Sequence, residues 1–271
     1  MPDENTKWIV VTDLDGTLLN HDSYDYDAAL LAIETLKNEN IPVVLNTSKT
    51  FLETVSIREE LAIYDPFIVE NGSCIYLLKS EFKQPEEASS RGEYWEIILG
   101  ASKLSIDHIF CSLGLKDSQY TRLSQCSIPQ VIDLTGLTEE QAKAAVARDF
   151  SEPFLWHDDE QSLNELIKNL QQYNLSVLQG GRFLHVIGNC DKGRATERLA
   201  SCYEGAVKTI ALGDSANDAA MLNAANISII VNSPSNKQLD QLVSADYQTE
   251  ATAPEGWKEG IEMALIQINK Q

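Results

Sequence analysis

Apolar positions along this chain fall into short unbroken runs separated by helical stripes. Trp8-Ile9-Val10-Val11-Thr12 reads as a buried strand, and Ile41 to Asn46 and Val207 to Leu212 repeat the pattern, each run ending in polar residues. Between the first two runs, Asp27 to Asn40 sets Ala29, Ile33 and Leu36 on one helical stripe, so the unit reads strand, helix, strand. A third strand fits Pro66 to Val69. After Lys192 the pattern resumes as a helix through Leu199, the strand at Val207 to Leu212, a helix over Asp218 to Ala225 and a strand over Ile227 to Val231. This alternation predicts an α/β fold built on a doubly wound parallel sheet.

Between about Gln84 and Asn189 the character changes. The acidic stretch Glu81 to Arg91 contains Pro85 and the turn signal Ser89-Ser90-Arg91-Gly92, and reads as a boundary. Three helical patterns follow, at Lys103 to Leu113, Thr138 to Arg148 and Asp159 to Tyr173, the second opening on the capping box Thr138-Glu139-Glu140-Gln141. Strand candidates lie near Tyr94 to Leu99, Pro153 to Trp156, Leu175 to Leu178 and Arg182 to Ile187. We therefore expect a core over residues 1–84, an inserted α+β domain over 85–189 and a return to the core over 190–271.

At 271 residues and 43% hydrophobic content the chain can bury a full core. The apolar runs are too short to span a membrane, and Met1-Pro2-Asp3-Glu4-Asn5 lacks the basic and apolar regions of a signal peptide, so a soluble cytoplasmic protein is expected. Five cysteines without a Cys-x-x-Cys pair indicate neither a disulfide framework nor a zinc site. A net charge of −20 argues against nucleic acid and anionic membranes as partners. It also disfavours an anionic substrate, unless Mg²⁺, Lys49, Lys192 and Arg182 invert the field locally.

Candidate chemistry clusters where the strands end. Asp13-Leu14-Asp15-Gly16-Thr17 follows the first strand and places two carboxylates at its carboxyl end, where open α/β sheets bind ligands. Close carboxylates repel unless a cation or proton sits between them, which suits Mg²⁺ on one and acid/base duty on the other. A plain strand-to-turn exit, for which Asp and Gly are common, accounts for this stretch alone equally well. Thr47-Ser48-Lys49-Thr50 ends the second strand, Asp191-Lys192-Gly193 opens a helix, and Gly213-Asp214-Ser215-Ala216-Asn217-Asp218 follows a further strand. In order, the chain supplies what phosphoryl transfer requires: a nucleophile, phosphate ligands, charge neutralisation and a metal site.

These four segments resemble the four motifs of the haloacid dehalogenase superfamily, in order. A narrower resemblance, to the mannosyl-3-phosphoglycerate phosphatase family, covers nearly the whole chain. It rests on Asp13 to Leu19, Thr47 to Thr50, Pro66 to Gly72, Leu134 to Leu137, Ser151 to Phe154, Gly180 to His185 and Pro254 to Trp257. Two departures stand out: Ala216 where the family commonly has Pro, and Asn46 in place of a small residue or Cys, expected to alter contacts at the site rim. About thirty residues separate the first two motifs and about 145 separate the second from the third. Within the superfamily that spacing resembles a type C2 cap, which closes over the site and reads the leaving group.

The resemblance implies a role for each residue. Asp13 would be the nucleophile and Asp15 the acid and base; Asp13, the Asp15 carbonyl and Asp214 would hold Mg²⁺, with Asn217 and Asp218 linked through water. Thr47 would bind a phosphoryl oxygen, with Ser48 as the fallback, and Lys192 would neutralise charge and restrain Asp13. Lys49 and Asn71 would be rim or structural contacts. In the cap, Arg182 on a glycine-loosened turn suits bidentate capture of the glycerate carboxylate. Glu152 and His185 are candidates for sugar hydroxyls, although His185 alternates with apolar neighbours as an ordinary strand histidine would. The activity implied is hydrolysis of a small phosphorylated sugar-acid, mannosyl-3-phosphoglycerate first. Glucosyl-3-phosphoglycerate, another sugar phosphate such as sucrose 6-phosphate, and a non-catalytic sugar-phosphate sensor are the alternatives. Oligomeric state is left open.

Overall fold

The first apolar run forms β1 (Lys7–Thr12), in which Val10 joins one buried cluster while Ile9 and Val11 join another. A strand covered on both faces needs apolar residues at every position, which is why it reads as a continuous run. The computed structural model describes residues 6–180 and 182–270; Met1 to Asn5, and Gly181 of the turn before Arg182, lie outside the described residues.

After β1 come α1 (Leu30–Asn38), β2 (Val43–Asn46), α2 (Phe51–Glu60), β3 (Phe67–Val69), β4 (Cys74–Leu78), β5 (Ser89–Arg91) and β6 (Tyr94–Ile98). The next segment carries α3 (Lys103–Ser112), β7 (Tyr120–Arg122), α4 (Ile128–Thr135), α5 (Glu139–Val146), β8 (Ser151–Trp156), α6 (Glu160–Gln171), β9 (Leu175–Gln179) and β10 (Leu184–Gly188). The chain ends with α7 (Lys192–Ala200), β11 (Val207–Gly213), α8 (Ala219–Ala224), β12 (Ile227–Asn232), α9 (Asn236–Leu239), β13 (Tyr247–Thr252) and α10 (Glu255–Ile268).

Nine strands form one sheet in the order β13-β12-β11-β1-β2-β3-β4-β6-β5. From β13 to β3 every pairing is parallel, and β4, β6 and β5 add an antiparallel extension. The expected α/β core is thus present, with one correction to the boundary. Strand Tyr94–Ile98 and its partner Ser89–Arg91, assigned to the insert from sequence, pair onto β4 and extend the core sheet, because Ile75, Leu77 and Ile97 share a buried face. The second sheet, β7-β8-β10-β9, is built wholly from residues beyond Lys103. Helices α3 and α6 cover it through Ile106, Phe110, Leu166 and Leu170.

Local signals set the ends of several helices. The Thr138 hydroxyl accepts from the Gln141 amide while the Gln141 side chain accepts from the Thr138 amide, completing the expected capping box. Thr50 and Glu53 form a second one at the start of α2, fixing where the loop after β2 turns into helix. From α10, the wholly buried Trp257 donates through Nε1 to the Thr12 hydroxyl at 2.9 Å, and Thr12 donates to the Asp13 carbonyl at 2.8 Å. The last helix thereby braces the segment that follows β1.

Candidate active site

Strands β1 and β11 run side by side in register, Thr12 opposite Leu212, and the Asp13 amide donates to the Leu212 carbonyl at 3.1 Å. Their carboxyl ends therefore deliver Asp13 and Asp214 to one place, the outer crevice of the parallel sheet. Lys192, the first residue of α7, is fully buried there, and its Nζ lies 2.7 Å from both Asp13 Oδ1 and Asp218 Oδ1. The other Asp218 oxygen accepts from the Asp214 and Ser215 amides at 3.1 Å each. Asp214 is held by the hydroxyls of Thr17 at 3.2 Å and Ser233 at 2.8 Å.

Asp13, Asp214 and Asp218 each place a carboxylate oxygen within 4.8 Å of the others, and all three residues are buried. Burial drives the Asp13 carboxyl up to about 8; Lys192 pulls it back, and Asp218 and Asp214 push it up again. Burial, then Asp218, raises Asp214 to about 6 against the pull of Ser233 and Lys192. One ammonium among three buried carboxylates leaves a deficit of positive charge, which a divalent cation in an all-oxygen cluster would make good. Asp218 is already committed to Lys192 and two amides, so Asp13 and Asp214 are the better ligands. The chain passes close by: Gly16 has φ +79°, and a Cβ there would lie 2.6 Å from Asp214 Oδ2. The left-handed backbone and this close approach both favour glycine here.

Asp15 turns its carboxylate elsewhere. Oδ2 lies 2.7 Å from Lys49 Nζ, while Oδ1 is shielded and has no hydrogen-bond partner among the described residues. Burial opposes the Lys49 charge, but Asp15 and then Glu53 outweigh it and raise the lysine above its ordinary pKa. Lys49 thus links the second motif to Asp15.

In the same loop Thr47 is 1% exposed, and its hydroxyl accepts from the Lys49 amide at 3.2 Å, whereas Ser48 lines the open cleft. Asn46 is not a rim residue. It is wholly buried, and its Nδ2 donates to the Lys192 carbonyl at 3.0 Å and the Thr196 hydroxyl at 3.1 Å, tying β2 to the start of α7.

Glu70, Asn71 and Gly72 take consecutive left-handed conformations, with φ of 48°, 59° and 87°. The turn serves three neighbours at once. The Glu70 carboxylate accepts from the Asp149 amide at 2.9 Å, the Phe150 amide at 3.2 Å and the Ser151 hydroxyl; Asn71 accepts from Asn217 at 3.1 Å; and a Cβ on Gly72 would strike the Asp191 carbonyl at 2.2 Å.

Between the two sheets lies a cleft of about 910 Å³, with Asp13, Asp15, Ser48 and Lys49 on the core side and Arg148, Arg182 and His185 on the insert side. Asn217 and Asp214 also reach its wall. Glu152, expected to meet sugar hydroxyls, does not line it. That side chain is fully buried in β8, 2.6 Å from Arg122 Nη2, 2.7 Å from Lys103 Nζ and 2.5 Å from the Ser124 hydroxyl, an interior ion cluster of the insert. Arg182 donates to the Leu134 carbonyl at 2.8 Å. His185 is 9% exposed; burial, then the charge of Arg148, drives its pKa down to about 3, so it is neutral. Arg148 was not singled out from sequence. Its position at the carboxyl end of an amphipathic helix looks like an ordinary helix-terminal arginine, and only the fold turns it toward the second motif.

The profile of the haloacid dehalogenase-like hydrolases matches residues 10–256. The chain belongs to that family. Two relatives are similar over almost their full length, each named glucosyl-3-phosphoglycerate/mannosyl-3-phosphoglycerate phosphatase. The protein from Methanococcoides burtonii is 36% identical over 97% of this chain and 98% of its own, and that from Persephonella marina is 33% identical over the same shares. Among solved structures, a member of the haloalkanoate enzyme superfamily from Bacteroides thetaiotaomicron superposes with a TM-score of 0.71 at 17% identity, covering 97% of each chain. A haloacid dehalogenase-like hydrolase from B. subtilis gives 0.66 at 19% identity over 95% of this chain and 98% of its own. These distant structures share the fold.

Proposed function

We propose that this family member is a Mg²⁺-dependent phosphomonoesterase that hydrolyses a glycosyl-3-phosphoglycerate, mannosyl-3-phosphoglycerate first, to glycosylglycerate and phosphate. The observation that carries it is the buried Lys192 held between Asp13 and Asp218 at the floor of a cleft whose rim bears Asp15 and Lys49. The two relatives named for glucosyl- and mannosyl-3-phosphoglycerate support the substrate class.

In the first step an Asp13 oxygen forms a bond to phosphorus as the ester oxygen leaves, and Asp15 gives that oxygen its proton. In the second, Asp15, now ionised, takes a proton from water, and the water oxygen displaces Asp13 from phosphorus to release phosphate. One carboxyl group therefore closes the proton balance over both steps. Lys192 holds Asp13 in line and offsets charge gathering on the phosphoryl oxygens. Ser48, which lines the cleft, and the buried Thr47 beside it would supply the hydroxyls for the phosphoryl oxygens. Bound Mg²⁺, held by Asp13 and Asp214, would let the anionic phosphate approach an anionic nucleophile. The Lys49 contact keeps Asp15 aimed over the cleft.

Phosphate release across a panel of mannosyl-3-phosphoglycerate, glucosyl-3-phosphoglycerate, sucrose 6-phosphate and an aryl phosphate, with Mg²⁺ and with EDTA, tests the reading. Phosphoglycerate esters should lead by kcat/KM, and chelation should abolish turnover. Full activity in EDTA with metal-free protein, or no turnover of any ester with Mg²⁺, would remove it.

A further inference from the structure

Arg148 follows α5 and crosses from the insert to the core. Nε donates to the Ala145 carbonyl at 3.2 Å, and Nη1 donates to the Ser48 carbonyl at 3.0 Å and the Ser151 hydroxyl at 2.9 Å. These bonds fix the guanidinium plane, and Nη2 has no partner among the described residues, although the side chain lines the cleft. The nearby Glu70 carboxylate is already taken by two amides and a hydroxyl. On the same wall stands His185, nine-tenths buried, with Nδ1 shielded and unpartnered. A guanidinium clamped on one side, with donors free toward the cleft and a histidine on the same wall, makes a pocket suited to an anion.

The chemistry of a glycosyl-3-phosphoglycerate says where its second anion must sit. The carboxylate carbon and the carbon bearing the phosphate ester share one neighbour, so the carboxylate site must adjoin the phosphate site. Arg148 meets this condition: it rests on the carbonyl of Ser48, one residue from Thr47 and so about 3.8 Å along the chain. Arg182 is tied instead to the carbonyl of Leu134 within the insert.

We infer that Arg148, with His185 completing the pocket, binds the glycerate carboxylate and sets the preference for phosphoglycerate esters. This rests on the phosphatase reading above. The sugar, carried on the shared carbon, then faces the remaining insert wall, where Arg182 and Gln141 lie.

The test compares kcat/KM for mannosyl-3-phosphoglycerate with that for the same compound reduced from carboxylate to alcohol. Wild type should favour the acid. Arg148→Met should cut that preference by about thirtyfold or more, the lower range for truncating one partner of a buried charge pair. Arg148→Lys should keep part of it, since the charge stays while the planar fork is lost. His185→Leu should reduce it by less, and Arg182→Met should leave the ratio as it is. Equal losses on both substrates in Arg148→Met would make Arg148 a brace and overturn the inference, as would a ratio that collapses only in Arg182→Met. If Arg148→Met does not fold, an unreduced preference in Arg148→Lys together with a collapsed one in Arg182→Met decides against it. Wild type that turns over neither ester sinks the phosphatase reading itself, and wild type that cleaves both without preference sinks its phosphoglycerate substrate.

Discussion

Lys192 Nζ and Asp13 Oδ1 lie 2.7 Å apart in the interior, although 179 positions separate the two residues in the chain. Replacing Lys192 by Met keeps much of the volume but strands Asp13 and Asp218 without their shared cation. Removing one partner of a buried ion pair costs about 3–5 kcal/mol. We expect Lys192→Met to unfold at lower urea concentration and to lose turnover, and the double variant Lys192→Met, Asp218→Asn to recover part of the stability but none of the activity. An unchanged urea midpoint in the single variant would show that the pair carries no such weight.

Protonation of the acid cluster makes stability depend on pH. Burial, with the neighbouring carboxylates opposing Lys192, sets Asp13 at about 8, and burial with Asp218 sets Asp214 at about 6. Both lie above the unfolded value of about 3.9, so the metal-free folded chain keeps protons that the unfolded chain has released. Their contribution to stability is therefore fully present below about pH 4 and is lost as pH rises to about 8. A cation that replaces those protons removes the penalty. Thermal melts should show the EDTA-treated protein losing Tm from about pH 5 to about pH 8, and Mg²⁺ raising Tm more at the upper end. A metal-free Tm that climbs across this window contradicts the assignment.

The candidate site segments were legible because each ends a strand buried on both faces. Unbroken apolar runs mark such strands, and Asp13, Thr47 and Asp214 follow three of them. Strand β13, Tyr-Gln-Thr-Glu-Ala-Thr, stayed hidden because it is an edge strand with few large apolar residues. The antiparallel extension escaped for another reason: Ser89–Arg91 looks like a turn until β6 pairs with it. Side-chain direction lay further from reach. The sequence around Glu152 offers Ser-Glu-Pro-Phe, and nothing in it says that Arg122 and Lys103, 30 and 49 positions upstream, turn the carboxylate inward. Arg148 shows the reverse case, a polar residue with no local signature that long-range packing carries to Ser48.

Glu152 gives a direct contrast between binding and framework. Its carboxylate is 0% exposed and sits between Arg122 and Lys103, so it contributes to the stability of the insert rather than to sugar contacts. Glu152→Gln removes one charge and leaves Arg122 and Lys103 to share the Asp107 carboxylate alone. A drop in Tm of several degrees is expected, with KM for the phosphoglycerate ester unchanged once the protein is folded at the assay temperature. A rise in KM without a fall in Tm would return Glu152 to the substrate.

Asp15 is asked to act twice, and the two steps can be separated by choice of leaving group. An alkoxide leaving from a glycerate ester is a strong base and needs a proton as the bond to phosphorus breaks, whereas p-nitrophenolate leaves unaided. Attack of water on the phosphorylated Asp13 needs a base whichever ester supplied the phosphoryl group. Asp15→Asn preserves the shape of the side chain and can still meet Lys49, now through its amide oxygen, so the loop after β1 should hold its form. With mannosyl-3-phosphoglycerate the variant should be inactive from the first step, losing roughly a hundredfold or more in kcat. With p-nitrophenyl phosphate it should release nitrophenol in a burst that approaches one equivalent per protein molecule and then stall, the phosphoryl group trapped on Asp13. Rapid-quench measurement of the burst, with mass spectrometry of the trapped protein, reads this directly. Steady turnover of the aryl ester at the wild-type rate, with no burst, would mean that another group activates the water and that Asp15 is not the base.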